Sequence, residues 1–327
     1  MEEDDYLVQW NTARLDANDR MRTPAFPPSA EARIDQPSAT LAGYPTTSPL
    51  AIAWRTLRRD SFALLGLLVV GLAVLSAILA PYLAPYDPYR VSASARLLPP
   101  GSLGHVLGTD DIGRDILSRL LWGGRTSLWV AFFPVLISGS IGLALGLTSG
   151  YFGGRIDQVV MRILDILLAF PSILLAIGIA AALGPGLRNV IMAIVVVSIP
   201  VFARLVRGLT LPIREREYVE AAHCLGASNS RIVRLHVLPN VIPQVIVYAT
   251  LETGRVVIFA AGLSFLGLGV QPPAADWGTM LAAGRQVLAV APHVATVPGL
   301  FIFLVTLGFN LFGDGLRDAL DPRLRNT

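Results

Sequence analysis

Residues 62–80 read FALLGLLVVGLAVLSAILA, with no charged side chain and one hydroxyl, Ser76. At 1.5 Å per residue a helix of this length spans about 28 Å, close to the ~30 Å hydrocarbon core of a bilayer. Further apolar runs follow at about 126–149, 159–183, 190–208, 241–263 and 295–313. The expected fold is therefore all-α: a polytopic membrane helical bundle of six transmembrane helices. The fourth run ends in Arg204 and Arg207, and the fifth encloses Glu252 and Arg255. Those two read either as spans, with arginines that must snorkel or pair, or as helices buried in protein.

Composition agrees with this and removes several chemistries. The chain of 327 residues is 53% hydrophobic with a mean hydropathy of +0.59, and its 15% charged residues compare with about 25% in soluble domains. A typical soluble enzyme is excluded. All 26 basic residues are arginine, so Schiff-base chemistry and the phosphate-binding lysine of a P-loop are absent, and ATP hydrolysis by that route is not expected of this chain. Cys224 is the single cysteine, which leaves no internal disulfide and no thiolate cage. His105, His223, His236 and His293 fall on different predicted faces, so no metal site and no cofactor are expected in this chain.

The chain opens with Glu2, Glu3, Asp4 and Asp5, and its first apolar run begins only at Ser61, which is not the pattern of a secretory signal. Residues 1–50 carry many prolines and few large apolar side chains, so a disordered cytoplasmic tail is expected there, with the transmembrane domain over 51–327. Arg55, Arg58 and Arg59 form a basic collar before the first span. With the N-terminus inside, the inner segments 52–60, 150–162, 204–240 and 317–327 hold 14 arginines and the outer segments 7, as the positive-inside rule requires of six spans with both ends cytoplasmic.

Within the spans, Ser138, Gly142, Gly146 and Gly150 form a small-residue ridge suited to close helix packing. Pro134, Pro171, Pro200 and Pro298 favour kinks. Arg162 and Asp165, three apart, read as a helix-stabilising ion pair. Glu252 and Arg255, one turn apart, are expected to pair with each other or with a partner, as a bundle ion pair or as part of a translocation pathway. Gly267-Leu268-Gly269 resembles half a dinucleotide fingerprint, but Pro272 and Pro273 follow where a helix should start, so a turn is expected.

The long inside loop, about 214–240, is the most informative segment. Residues 217–225 read as a short helix with Tyr218, Ala221, Ala222 and Leu225 on one face, stopped by Gly226. Ser228 or Asn229 caps a second helix bearing Ile232, Val233 and Leu235, which meets Pro239 at the membrane. The spacing of Glu220-Ala221-Ala222, Gly226 and His236-Val237-Leu238-Pro239 resembles the EAA loop of ABC importer permeases. Histidine at 236, where isoleucine is general, resembles the oligopeptide, dipeptide and nickel branch. Three more segments resemble the C-type subunit of that branch: Gly108-Thr109-Asp110 with Gly113-Arg114-Asp115 and Ser118-Arg119; Leu263 to Gly269; and Gly313 to Asp318 with Asp321-Pro322-Arg323.

The resemblance implies a type I ABC importer permease fold with a cytoplasmic coupling helix, in a bacterial plasma membrane. It implies a second homologous permease, two cytoplasmic ATPase subunits or domains that use ATP and magnesium, and an external binding protein that delivers peptide; nucleic acid is not a partner. Glu220, Ala221, Ala222, Gly226, Leu238 and Pro239 would couple this chain to the ATPases, with Ala222 facing the partner's groove. The outer segments 81–125 and 264–294, with Asp110, Asp111, Asp115 and Asp276, would receive the binding protein. A self-contained secondary transporter or channel is the alternative. It should show inverted repeats and several midplane acids, whereas Glu252 is the only such acid and no repeat is evident.

Overall fold

Asp60 starts the first span: its carboxylate accepts hydrogen bonds from the Phe62 and Ala63 amides at 2.9 and 3.2 Å, capping helix α1, Ser61–Ile78. The structure, a computed structural model, describes residues 54–102 and 104–320. The expected N-terminal tail and the Asp321-Pro322-Arg323 segment lie outside the described residues. After α1 come a short helical turn, Ala80–Leu83, and an irregular outer segment. The helices α2, Ile116–Phe152, α3, Gly154–Leu168, α4, Ser172–Leu183, and α5, Leu187–Arg214, follow. The rest comprises α6, Glu217–Cys224, α7, Asn229–Phe265, α8, Trp277–Gln286, and α9, His293–Leu320. Among the described residues there is no β-strand, only two isolated bridges in the outer segment.

Five helices, α1, α2, α5, α7 and α9, are long and apolar enough to cross a membrane, and a sixth span exists if α3 and α4 count as one. That pair departs from the straight span expected over 159–183, because it bends by 85° at its break. Pro171 explains the break, since it has no amide to continue the helix and its ring pushes Phe170 out of helical geometry. At about 22 and 18 Å, neither half alone covers the hydrocarbon layer. Runs four and five are instead long, continuous helices.

Small residues decide how the long helices meet. A Cβ placed on Gly142 would collide with Phe202, one on Gly146 would lie 2.5 Å from the Ala203 carbonyl, and one on Gly150 would lie 2.8 Å from Thr210 Cβ. The predicted ridge is thus the surface on which α2 and α5 cross. Gly66 of α1 meets α9 in the same way, 2.6 Å from the Gly308 carbonyl. In lipid, apolar burial drives association weakly, so this close packing of backbones supplies most of the attraction.

Two ion pairs tie α3 to α5. Arg207 holds Asp157 through both nitrogens of its fork, at 2.6 and 2.7 Å, and Arg204 reaches Asp165 at 2.7 Å. Asp157 also accepts from the Ser149 hydroxyl. This corrects the expected Arg162–Asp165 pair: an arginine 39 positions along the chain takes Asp165 once the bend lays α3 against α5. It also removes the need for Arg204 and Arg207 to snorkel alone.

Candidate functional site

The α6 segment begins where α5 ends at Arg214 and closes on a left-handed turn. The Gly226 and Ala227 amides donate to the His223 and Ala222 carbonyls at 2.9 and 3.0 Å, with Gly226 at φ +82°. A side chain at Gly226 would meet nothing within 4 Å, so the need for glycine there is conformational, not steric.

Val219 is fully buried, and with the half-buried Ala222 it packs on the same apolar cluster as Ile232 and Val237. The apolar face read from the sequence therefore divides. Ala222 packs against this chain's own bundle and keeps part of its surface open. Tyr218, Ala221 and Leu225, the last 88% exposed, form the uncovered strip. Glu217 and Glu220 flank that strip, and Glu220 makes no ion pair or side-chain hydrogen bond among the described residues.

The second helix of the loop is not a separate unit. It runs into the fifth span as the 37-residue rod α7, through a π turn at Val233–Val237. Pro239 gives the reason: it offers no amide, and a regular helix would press its ring onto the carbonyl four residues back. The backbone widens instead, and the Leu238 amide bonds to the Val233 carbonyl. The sequence signal was present in Pro239 itself, which here marks a joint within one helix. The His236 and Tyr218 rings lie 5.9 Å apart at a tilt of 51°, so α6 and the rod approach each other through this histidine.

Deeper in α7, Glu252 is 3% exposed and Arg255 is 47% exposed. Arg255 Nε donates to Glu252 Oε2 at 2.8 Å and Nη2 to Oε1 at 2.5 Å. Ser198 of α5 and the Tyr248 hydroxyl also donate to this carboxylate, at 3.3 and 3.4 Å. The buried charge is thus paired, as its depth demands.

The outer acids behave differently from expectation. Asp110, Asp115 and Asp276 are buried, which corrects their proposed place on a docking face. Asp110 accepts from the Ile112 and Arg114 amides and from Arg114 Nε at 2.6 Å, with Arg119 Nε at 3.6 Å. Asp115 caps α2 and binds His105 Nδ1 at 2.9 Å, and Asp276 caps α8 and takes the Ser127 hydroxyl at 2.6 Å. Helix starts and arginines consume these carboxylates, so only Asp111, at 31% side-chain exposure, remains partly free. The motif at 108–119 is therefore a structural knot. Leu263 to Gly269 is a helix end, with Gly267 at φ +82° and the Leu268 amide on the Leu263 carbonyl. Among the described residues no group of three or more histidine, cysteine, aspartate or glutamate side chains converges as a metal ion would need.

The described residues thus form a multi-pass helical bundle with an exposed helical elbow on one loop and a paired charge inside one span. The family "binding-protein-dependent transport system inner membrane component" matches residues 142–326, and "N-terminal TM domain of oligopeptide transport permease C" matches residues 48–100. The dipeptide transport system permease protein DppC of Alkalihalophilus pseudofirmus is 47% identical over 86% of this chain and 93% of its own length. The glutathione transport system permease protein GsiD of Pectobacterium atrosepticum is also 47% identical, over 84% of this chain and 91% of its own. A chain of the inward-facing MetNI methionine ABC transporter superimposes with a TM-score of 0.51 at 22% identity, over 62% of this chain and 96% of that one, a likeness of fold. The chain belongs to the family of inner-membrane components of binding-protein-dependent transport systems. It is a multi-pass inner-membrane permease of an ABC importer.

Proposed function

We propose that this permease forms half of a translocation pathway for small peptides, dipeptides and oligopeptides or glutathione-like tripeptides. A second, homologous permease supplies the other half, and an extracytoplasmic binding protein delivers the peptide. Two cytoplasmic ATPase subunits, which hold the ATP and magnesium, power the cycle. Both termini and the α6 loop lie on the cytoplasmic side, in keeping with the arginine distribution. The substrate class follows the names of the relatives.

The observation that carries the coupling role is the uncovered α6 strip of Tyr218, Ala221 and Leu225, joined by one turn to a rod about 56 Å long. A push on α6 is delivered to the rod at Asn229 and travels its length, past Leu238 and Pro239, to Glu252 and Arg255. Gly226→Val, at a backbone angle that costs other residues about 1 kcal/mol or more, and Glu220→Lys, on the exposed flank, should each leave the complex assembled but uncoupled. In reconstituted vesicles, peptide-loaded binding protein should then no longer stimulate ATP hydrolysis, and uptake should fall with it. Wild-type stimulation and uptake in both variants would remove α6 from the mechanism.

A further inference from the structure

The Arg255 guanidinium is bound along one edge only. Glu252 takes Nε and Nη2, Phe259 lies under the cation at 5.6 Å from its ring centre, and Nη1 has no partner among the described residues. The group lies about 15 Å along α7 from Phe265 and about 26 Å from Leu238, well inside the apolar part of the helix. An arginine at such depth costs about 2.5–3.5 kcal/mol if it faces lipid, yet this one is half-exposed on its own chain. The same face continues through Gly262, where a side chain would meet nothing within 4 Å, to the exposed Leu266. Its open edge is therefore left to a group outside this chain: water, an incoming polar group or the second permease.

Resting on the peptide reading above, we propose that the free edge of Arg255 receives the C-terminal carboxylate of the peptide in transit, and that Glu252 positions the guanidinium and weakens its hold. Arginine suits a carboxylate because its planar fork offers parallel donors. The neighbouring carboxylate leaves the pair with no net charge, so an anion is held briefly and released, as passage through a pathway requires. Ser198 and Tyr248 keep Glu252 in place, so the donor edge is set before the peptide arrives.

The two residues should shift transport in different ways. The test is uptake of dialanine and of its C-terminal amide by the full reconstituted complex, each at saturating binding protein. Wild type should carry the free acid several-fold faster than the amide. Arg255→Gln should lower free-acid uptake about tenfold and abolish that preference, while Arg255→Lys retains part of it. Glu252→Gln should slow the free acid by retention and leave the amide unaffected. Co-purification with the second permease reports assembly. Equal wild-type rates for the two probes, or an unchanged preference in Arg255→Gln, would overturn the assignment. Loss of assembly in both Arg255 variants would also overturn it, making the residue a bundle contact. Failure of wild type to carry either probe would overturn the peptide reading itself, and this proposal with it.

Discussion

The Tyr151 hydroxyl lies 3.0 Å from His223 Nε2 and 3.1 Å from Asn229 Oδ1, so one side chain at the end of α2 holds both arms of the Gly226 turn. The Arg214 guanidinium donates to the Tyr151 carbonyl at 3.2 Å, which adds the end of α5 to the same junction. Movement of α6 relative to the bundle must break or carry this contact.

Tyr151→Phe should therefore loosen the elbow without unfolding the spans. Each lost hydrogen bond is worth about 0.5–1.5 kcal/mol, so amide exchange at Leu225, Gly226 and Ala227 should speed up about tenfold while exchange in α2 is unchanged. Exchange measured by mass spectrometry in detergent decides this; unchanged exchange at those three amides would show that the junction does not restrain α6.

Gly146→Val should disrupt the crossing of α2 and α5, because the new side chain would meet the Ala203 carbonyl and Val206. A cost of about 1–3 kcal/mol or more is expected, seen as a lower melting temperature and aggregation after extraction. Gly208→Ala on α5, where a Cβ meets nothing within 4 Å, should be neutral or stabilising by up to about 1 kcal/mol. Equal melting of the two variants would refute close packing at this crossing.

Asp110→Asn should cost about 3–5 kcal/mol, because it leaves Arg114 and the buried Arg119 without their shared carboxylate. Asp111→Asn should change stability by no more than about 0.5 kcal/mol. Thermal melting in detergent distinguishes them, and comparable melting of the two would contradict the structural reading of the 108–119 knot.

Orientation is open to direct labelling. With Cys224 replaced by serine, Val106→Cys on the exposed outer segment should react with an impermeant thiol reagent in intact cells, and Ser228→Cys only after permeabilisation. The opposite pattern would invert the proposed topology.

Much of this molecule was legible along the chain. The 62–80 run, the Gly142-Gly146-Gly150 ridge and the Gly226 stop each depend on side chains a few residues apart, and each has its expected form in the structure. The candidate site was legible in part. The residues of α6 were found, but which of them face outward was not, because Val219 turns the helix so that Ala222 packs inward and Leu225 stays exposed.

Apolar length and charge spacing are local properties, and they determined by themselves that this chain is a helical membrane protein. The tertiary structure decided which charges meet. Asp165 pairs with Arg204 and not Arg162, Asp110 and Asp276 turn inward, and the break at Pro171 becomes an 85° bend. Each of these depends on where a distant helix comes to rest. A carboxylate seeks whichever donor the packing brings within about 3 Å, and that distance is set by contacts across the bundle, not by neighbours along the chain.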